Sequence, residues 1–136
     1  RVGIPGVSEH IHVRSIVGNF LEHARIFHFH AEGEDRVFLG SADWMPRNLD
    51  NRVEIVFPIM DVAIQQKVLH YLDTELADNV KASRYLPDGS YVKEQPRGRK
   101  KVNSQERFVR EARQEAHAAE EAEKQRGDGR CFIPMG

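Results

Sequence analysis

Charge is distributed unevenly along the chain, and this asymmetry restricts where a folded core can form. Residues 97–130 carry 17 charged side chains among 34, ten basic and seven acidic, with a single aromatic residue. A segment this polar cannot bury enough apolar surface to build a core of its own. Trp44 and most of the β-branched apolar residues lie within residues 1–86. We therefore expect a packed domain over residues 1–95, followed by a basic linker, a charged helix and a flexible tail over 96–136.

Length and total charge exclude several classes of protein. The 136 residues include 20 Lys+Arg and 21 Asp+Glu, which gives a net charge of −1. That balance lacks the positive excess that draws a protein to nucleic acid, so we expect no nucleic-acid partner. No apolar run approaches the roughly 18 residues of a membrane-spanning helix, and the first residues lack the pattern of a signal peptide. We expect neither a membrane span nor secretion.

The single cysteine indicates a cellular compartment, and the first residues indicate that the sequence is a fragment. Cys131 is the single cysteine and cannot form an internal disulfide, which fits a reducing compartment. We therefore expect a cytoplasmic protein, and we give Cys131 no catalytic role. The chain begins Arg1-Val2-Gly3 without an initiator methionine. We interpret it as a fragment whose N-terminal part is missing.

Apolar patterning predicts several strands. Residues 25–30 and 37–43 are typical of an antiparallel pair, joined by a polar stretch with a Gly suited to a turn. Val53–Ile59 is a nearly continuous apolar run, which favours a strand covered on both faces. Its Pro58 indicates a sheet edge or a strand end. The Pro-Asp-Gly within residues 85–91 predicts a short hairpin or an irregular excursion.

Two helices are predicted after these strands. The apolar spacing becomes helical over residues 61–79, with Asp61 placed to cap the start, and we expect this helix to pack on the sheet. Asn103 and Glu106 resemble a capping box that begins a peripheral, charge-paired helix reaching about Lys124. The expected fold class is α/β in the broad sense (α+β), with a mixed or antiparallel sheet, flanking helices and a charged C-terminal helix.

Side chains suited to binding a phosphoryl group lie between residues 23 and 54. If residues 23–29 are extended, alternation points His23 and Arg25 to the same side of the strand. Arg makes bidentate contacts with phosphate, and His acts as a nucleophile or a proton donor near neutral pH. Asp50 or Glu54 would orient these cations. The phosphate-site candidates are His23, Arg25, Ser41, Arg47 and Arg52. The structural alternative for His23 is a histidine that bonds only to nearby backbone.

The His-x-His sequences could bind a metal ion, and the Trp44-Met45 pair could pack in the core. The His-x-His sequences at residues 10–12 and 28–30 would each place two imidazoles on one strand face. No third ligand at a suitable spacing completes either pair, so we assign no metal-ligating residue. We interpret Trp44 and Met45 as core anchors for the loop at the phosphate site.

Longer stretches resemble a known family. The spacing H-x-R at 23–25, G-S-A-D at 40–43 and R-x-E at 52–54 is similar to half of the phospholipase D superfamily motif, H-x-K with a later G-S-x-N and Glu. Over about residues 1–95, GIPGVSEHIHVRSIVGNFLEHARIFHF and VFLGSADWMPRNLDNRVEIVFPI resemble the C-terminal domain of bacterial polyphosphate kinase. The resemblance implies that this fold is one phospholipase D-like half.

The chain departs from hydrolytic phospholipase D enzymes at two positions. Arg25 stands where they have Lys, and Asp43 stands where they have Asn. An ionised Asp cannot donate a hydrogen bond to phosphate, so we expect Asp43 to orient Arg or His instead. This weakens the phosphodiesterase interpretation.

The polyphosphate kinase resemblance implies a reversible transfer of the terminal phosphate of ATP to inorganic polyphosphate through a phosphohistidine. The phosphorylated histidine and the Mg-binding residues of that family belong to a domain absent from this chain. The resemblance places the family's second histidine at His23 and implies that Arg52 helps to hold the triphosphate of ATP or ADP. Arg25, Ser41 and Arg47 are weaker candidates. It also implies a homo-oligomeric full-length protein and an inactive isolated fragment.

Two other functions stay open, and the main hypothesis has one geometric requirement. The chain would be a phospholipase D-like phosphodiesterase or nuclease if a dimer brought two copies of His23 together, or a non-enzymatic binding module if the charged helix were its interaction surface. The basic residues at 97–101 either guide polyphosphate or form a solvated linker. The kinase hypothesis requires His23 and Arg52 to converge on one anion pocket.

Overall fold

The computed structural model describes residues 1–127, which form two small antiparallel sheets and three helices. The strands are β1 (Arg14–Ile16), β2 (Ile26–Ala31), β3 (Glu34–Gly40), β4 (Val56–Pro58), β5 (Ala82–Tyr85) and β6 (Tyr91–Lys93). The helices are α1 (Pro46–Asn51), α2 (Val62–Leu76) and α3 (Ser104–Gly127). The predicted α+β class with antiparallel strands is confirmed, although the strands divide between two sheets.

The first sheet has the strand order β1-β5-β6, and all its pairings are antiparallel. The predicted hairpin around Pro-Asp-Gly is confirmed, because β5 and β6 pair from Tyr85 opposite Tyr91. Asp88 fixes the turn by accepting hydrogen bonds from the backbone N–H and the hydroxyl of Ser90. β1 lies within residues 11–20, whose apolar pattern favours neither a strand nor a helix.

The second sheet has the order β2-β3-β4 and contains the other predicted hairpin. Ala31 pairs with Glu34, so the loop has two residues, Glu32 and Gly33, with φ of 54° and 83°. Two consecutive positive φ values are characteristic of a type I′ turn, whose twist suits a hairpin. Because the turn is this short, β3 begins before the predicted residue 37 and ends at Gly40.

The prediction that β4 is covered on both faces is wrong. All three residues of β4 are exposed, and Val56 keeps 58% of its surface accessible. β4 pairs only with β3 and therefore lies at the edge of the sheet. Pro58 at this edge is as predicted, since proline has no N–H to donate to a further strand.

Helix α2 confirms the prediction for residues 61–79. Asp61 caps it by accepting a hydrogen bond of 2.9 Å from the N–H of Ile64. Val68 is buried, and Gln65 Nε2 donates to the backbone oxygen of Asp35 at 3.3 Å, which attaches the helix to β3. The helix packs on the second sheet as expected.

Helix α3 also begins where the sequence predicts. Asn103 Oδ1 accepts a hydrogen bond from the N–H of Glu106 at 3.4 Å. The helix lies against α2, where Phe108 makes an edge-on contact with Tyr71 at a ring-centroid distance of 5.4 Å. The predicted tail after residue 127, including Cys131, lies outside the described residues. The division of domains at residue 95 stays a prediction.

Among residues 1–127, the buried apolar side chains lie before residue 95, as expected from the charge distribution. They are Val2, Val37, Ala42, Val68 and Ala82. The prediction that Trp44 and Met45 are core anchors is wrong, because 80% and 41% of their surfaces are exposed. Trp44 stacks on Phe27 at the surface, with ring centroids 6.2 Å apart. Within residues 1–127, no helix is long and apolar enough to cross a membrane.

Within residues 1–127, α2 lies on one face of the second sheet, and the opposite face carries apolar side chains that stay partly exposed. Ile26 lies on the side of α2, because it lines a cavity together with α2 residues. Alternation along β2 therefore turns Phe27 and Phe29 to the opposite side. An apolar groove of about 510 Å³ lies there, lined by Phe27, Phe29, Phe38, Ala42, Trp44, Leu49 and Val56.

The carboxylate of Asp78 joins the first sheet to the start of α3. Asp78 is fully buried. Its Oδ1 accepts hydrogen bonds from the N–H groups of residues 80, 81 and 82 at 2.9, 2.7 and 3.1 Å. Its Oδ2 accepts from the N–H and hydroxyl of Ser104 at 2.8 and 3.0 Å. Burial raises the pKa of Asp78, but the hydrogen bonds from Ser104, Lys81 and Val80 outweigh burial and hold the pKa below its usual value.

Substitution of Asp78 by asparagine is expected to destabilise the chain by about 2–4 kcal/mol. Either orientation of the new amide directs an NH₂ donor at backbone N–H donors, so buried polar groups lose their partners. Urea unfolding followed by circular dichroism measures this loss. The exposed turn variant Asp88→Asn is the matched control and should lose much less stability. Equal losses for the two variants would contradict the role assigned to Asp78.

A second carboxylate arrangement lies between α2, α3 and the segment before β2. Gln105 Nε2 donates to Glu22 Oε1 at 2.7 Å and to the backbone oxygen of Phe20 at 2.8 Å. Burial, followed by a hydrogen bond with Glu22 and its charge, raises the pKa of Glu75 to about 7. The folded chain therefore favours the neutral form of Glu75 below about pH 7.

Stability should fall as the pH rises through the range in which Glu75 ionises. A carboxyl group whose pKa is raised by folding stabilises the fold fully below its unfolded pKa, and this contribution is lost between about pH 4.5 and 7. Glu75→Gln should thus be more stable than the unmodified chain at pH 8 by about 1 kcal/mol, a value reduced for the partial exposure of the site. At pH 4.5 the two should be equal.

Urea unfolding at pH 4.5, 6 and 8 tests this dependence. Glu120→Gln, which changes an exposed carboxyl group on α3, is the control and should keep the pH dependence of the unmodified chain. If the Glu75→Gln chain lost stability in parallel with the unmodified chain over this range, the assignment to Glu75 would be wrong.

Candidate functional site

His23 lies in an irregular segment that precedes β2. Because β2 begins at Ile26, the strand alternation used to place His23 and Arg25 does not extend to them. His23 lines a cavity of about 660 Å³ between this segment, α2 and α3. The cavity also contains the charged or polar residues Glu22, Lys67, His70, Tyr71, Glu75, Glu111 and Glu115.

Arg25 is held by Asp43, so two candidate side chains are joined. Arg25 Nε donates to Asp43 Oδ1 at 2.8 Å, and its Nη2 donates to the same oxygen. Arg25 Nη1 also donates to the backbone oxygen of His23 at 3.0 Å. The prediction that Asp43 orients an arginine is confirmed.

The charges of three basic groups act on the carboxylate of Asp43. The hydrogen bond from Arg25 holds the pKa of Asp43 below its usual value. The charges of Arg25, His23 and Arg47 lower that pKa further. Asp43 therefore stays ionised, and three of the five phosphate-site candidates lie within its electrostatic range.

Ser41 is engaged by Glu54 and not by a cation. Its hydroxyl donates to Glu54 Oε2, while its oxygen accepts from the N–H of Ile55 at 3.1 Å. In this arrangement the hydroxyl proton is not directed to a ligand. Glu54 was expected to orient the arginines, but its contacts are with Ser41 and Asn48.

Asn48 lies between Arg47 and Arg52, and the sequence predicts that the loop carrying all three supplies polar groups to the phosphate site. Asn48 is 4% exposed, and its Nδ2 donates to Glu54 Oε1 at 3.2 Å. Within residues 1–127, its Oδ1 is buried without a hydrogen-bond partner. A buried polar atom usually has a partner, and the position of Asn48 in a polar stretch of sequence does not predict that it is buried.

Arg47 and Arg52 lie at the two ends of a short helix that was expected to be a loop. Pro46 begins α1, as is common because proline lacks only an N–H that is unpaired there. Arg47 lies in its first turn, and Arg52 follows its last residue in an extended conformation. Arg52 is exposed and forms no ion pair within the part of the chain described. The cavity lined by His23 does not include Arg52, and their convergence stays a prediction.

A second polar cluster lies near the end of the β2-β3 hairpin. His28 Nε2 and His30 Nδ1 each lie 2.7 Å from Asp35 Oδ1. Sequence spacing gave no third ligand for this His-x-His pair. Antiparallel pairing supplies Asp35, because residue 35 lies directly opposite residue 30. Among residues 1–127, this is the group of His, Cys, Asp and Glu side chains whose ligand atoms lie close enough together to hold one metal ion.

A basic groove of about 600 Å³ lies beside the first sheet and the basic segment before α3. Six basic side chains line this groove, with Glu94 as their single carboxylate. They are Arg14, Arg84, Lys93, Arg97, Arg99 and Lys100. The basic segment at 97–101 thus lies beside cations from three strands, which its sequence position did not reveal.

Comparison with known proteins gives the family of the chain. Residues 1–105 match the model for polyphosphate kinase C-terminal domain 2. Polyphosphate kinase from Bacillus anthracis is 45% identical over 87% of this chain and 17% of its own length. Polyphosphate kinase from Lactiplantibacillus plantarum is 40% identical over 99% of this chain and 19% of its own length. The enzyme from Pseudomonas aeruginosa is 52% identical over 72% of this chain and 14% of its own length.

A solved structure agrees with these relatives. The crystal structure of polyphosphate kinase from Porphyromonas gingivalis matches 85% of this chain and 18% of that protein, with a TM-score of 0.75 and 33% identity. The chain spans less than a fifth of the length of each of these three curated relatives. These matches show that the chain belongs to the polyphosphate kinase family, with its sequence in the C-terminal domain.

Proposed function

We propose that this chain is the C-terminal part of an ATP:polyphosphate phosphotransferase, which reversibly transfers the terminal phosphate of ATP to inorganic polyphosphate. The observation that carries the proposal is the ion pair of Arg25 with Asp43, whose carboxylate is also within reach of the charges of His23 and Arg47. It supplies positive charge beside a fixed carboxylate, in a chain whose relatives are named polyphosphate kinase. The phosphohistidine intermediate forms on a histidine outside this chain.

The proposed roles follow from the contacts of each side chain. His23 assists transfer by donating hydrogen bonds to the phosphate oxygens. Arg52, exposed and without an ion pair in residues 1–127, neutralises charge that develops on the triphosphate. Arg25 has its Nε and Nη2 committed to Asp43, so it orients the region and contributes less to substrate binding. Ser41 contributes least, because its proton is committed to Glu54.

Mg²⁺ accompanies ATP in this reaction and is proposed to have its protein ligands elsewhere in the longer protein. Mg²⁺ requires oxygen ligands, chiefly carboxylates. Two of the carboxylates beside the phosphate-site candidates are already occupied, Asp43 by Arg25 and Glu54 by Ser41 and Asn48, and the third, Asp50, is an exposed residue of α1. The residues of this chain therefore suit the anionic phosphates of ATP or ADP better than they suit the cation.

The basic groove is proposed to guide the polyphosphate chain. Polyphosphate carries closely spaced negative charges, and a series of Lys and Arg residues binds such a polymer with release of counterions. The cations of the groove come from β1, β5, β6 and the segment before α3. This arrangement favours a polyanion path over a solvated linker.

The uncovered apolar face of the second sheet supports the need for further domains. A contiguous apolar surface of this kind marks a site of contact with other protein. The relatives have more than four-fifths of their length outside the matched region, which is ample to cover it. We propose a cytoplasmic, homo-oligomeric full-length protein, in which this chain alone does not turn over substrate.

Loss of His23 should reduce turnover strongly in the full-length protein. His23→Ala removes a hydrogen-bond donor at the transferring phosphate, with an expected fall in kcat of about 10²–10⁴-fold. Arg52→Ala should lower kcat by about 10²–10³-fold, because a charged donor to the transition state is lost. ATP formation from ADP and polyphosphate is the measurement. His117→Ala, on the exposed surface of α3, should keep full activity.

The same variants distinguish the phosphotransferase from a phosphodiesterase. The chain should not hydrolyse a phosphodiester such as bis(p-nitrophenyl) phosphate. Hydrolysis by the 136-residue chain that is abolished by His23→Ala would overturn the proposed function in favour of a dimeric phospholipase D-like enzyme. Retention of full kinase activity by His23→Ala would also overturn the role of this residue.

Neutralising the basic groove should weaken polyphosphate binding and leave ATP binding unchanged. The triple variant Arg97→Gln, Arg99→Gln, Lys100→Gln should bind polyphosphate at least tenfold more weakly. Its slope of log affinity against log salt should decrease by about 3, which corresponds to three lost phosphate contacts. Fluorescence anisotropy with labelled polyphosphate at several salt concentrations measures both effects.

A matched triple variant on the exposed surface of α3 controls for net charge. Arg113→Gln, Lys124→Gln, Arg126→Gln removes the same charge from residues that do not line the basic groove. It should change polyphosphate affinity less than twofold. If both triple variants weakened binding equally, the effect would come from total charge and the groove would have no specific role.

A further inference from the structure

The hairpin of β2 and β3 brings three metal-binding side chains together near its turn. His28 and His30 are two residues apart on β2 and therefore point to the same face. Asp35 on β3 is directly opposite His30 and diagonal to His28, so its carboxylate reaches both imidazoles. The three ligand atoms are all within 4.8 Å of one another.

The contacts show that the three side chains converge on a single point. Asp35 Oδ1 lies 2.7 Å from His28 Nε2 and 2.7 Å from His30 Nδ1. The two rings meet edge to face with centroids 6.5 Å apart, so their nitrogen atoms approach the carboxylate from different directions. In a tetrahedral zinc site, adjacent ligand atoms are about 3.3 Å apart. Each of the two contacts of Asp35 would therefore lengthen by roughly half an ångström to admit the ion.

The protein scaffold around the cluster is fixed in two ways. The type I′ turn at Glu32 and Gly33 sets the register that places Asp35 opposite His30. Gln65 from α2 donates to the backbone oxygen of Asp35 at 3.3 Å, which holds β3 at that residue. Such support lowers the entropy that the ligands lose when they bind an ion.

The ligand chemistry favours Zn²⁺. Two imidazoles and one carboxylate are the protein ligands of a class of zinc sites that keep a fourth position for water or another ligand. The side chains keep between 29% and 62% of their surface exposed, which leaves a path from solvent.

We propose that His28, His30 and Asp35 form a binding site for Zn²⁺ with three protein ligands and one open coordination position. The ion binds His28 through Nε2, His30 through Nδ1 and Asp35 through Oδ1, and any proton on these nitrogens is released to solvent. Its open position accepts water or an anionic oxygen. The site is separate from the phosphate-site candidates and does not depend on the proposed phosphotransferase activity.

Zinc titration of the full 136-residue chain by isothermal calorimetry tests the site. The unmodified chain should bind one Zn²⁺, and Co²⁺ in its place should give the visible absorption of a four-coordinate site. His28→Ala should weaken Zn²⁺ affinity at least tenfold, because one of three ligands is lost. Asp35→Asn keeps the shape of the side chain, removes its charge and should weaken binding to a similar extent.

Control variants separate this site from other histidines. The double variant His10→Ala, His12→Ala removes the other His-x-His pair and should leave affinity for Zn²⁺ unchanged. Circular dichroism of each variant should match that of the unmodified chain, since the replaced side chains are exposed. No Zn²⁺ binding by the unmodified chain, or affinity in His28→Ala and Asp35→Asn equal to that of the unmodified chain, would overturn the proposal.

Discussion

The buried carboxylate of Asp78 is the interaction on which the arrangement of the chain depends. It accepts five hydrogen bonds, three from the backbone at the start of β5 and two from Ser104 at the start of α3. Burial of an ionised group costs solvation free energy, and the fold tolerates this cost only when hydrogen bonds satisfy the group completely. Because Ser104 is fixed there, Gln105 reaches Glu22 and Phe20, next to His23. The position of the charged helix is therefore coupled to the segment that carries a phosphate-site histidine.

The phosphate-site region is organised by two carboxylates that hold neighbouring polar side chains, and it leaves the guanidinium groups of Arg47 and Arg52 exposed. Asp43 binds Arg25, and Glu54 binds Ser41 and Asn48, so the two carboxylates fix neighbouring polar side chains. Arg52 stays exposed at the end of α1. This division is physically reasonable, because a cation already paired with Asp has less free energy to gain from a phosphate than an unpaired one. Whether a carboxylate already binds a side chain therefore ranks the phosphate-site candidates more clearly than their spacing in the sequence does.

The three surface features of the chain suggest separate tasks. The basic groove contains six basic side chains and one carboxylate. The apolar face of the second sheet contains aromatic side chains, and the hairpin end contains two imidazoles and a carboxylate. Strand alternation explains why two of these features coexist on one hairpin: Phe27 and Phe29 point to one side, whereas His28 and His30 point to the other. In the proposed full-length enzyme, the apolar face is available for contact with other domains and the hairpin end with solvent.

The sequence alone determined the local elements and the family. Apolar periodicity, Asp61, the Asn103 cap and the turn residues located two helices and two hairpins, because these signals act over a few neighbouring residues. Long matching stretches gave the resemblance to polyphosphate kinase. Tertiary structure decided which residues meet across the chain. Asp35 joins His28 and His30 only through strand register, Asp78 meets Ser104 over 26 residues, and Val56 and Trp44 are exposed because no described element covers them. Hydrophobicity predicts the tendency of a side chain to be buried, but burial also requires a neighbouring surface, which a residue pattern does not specify.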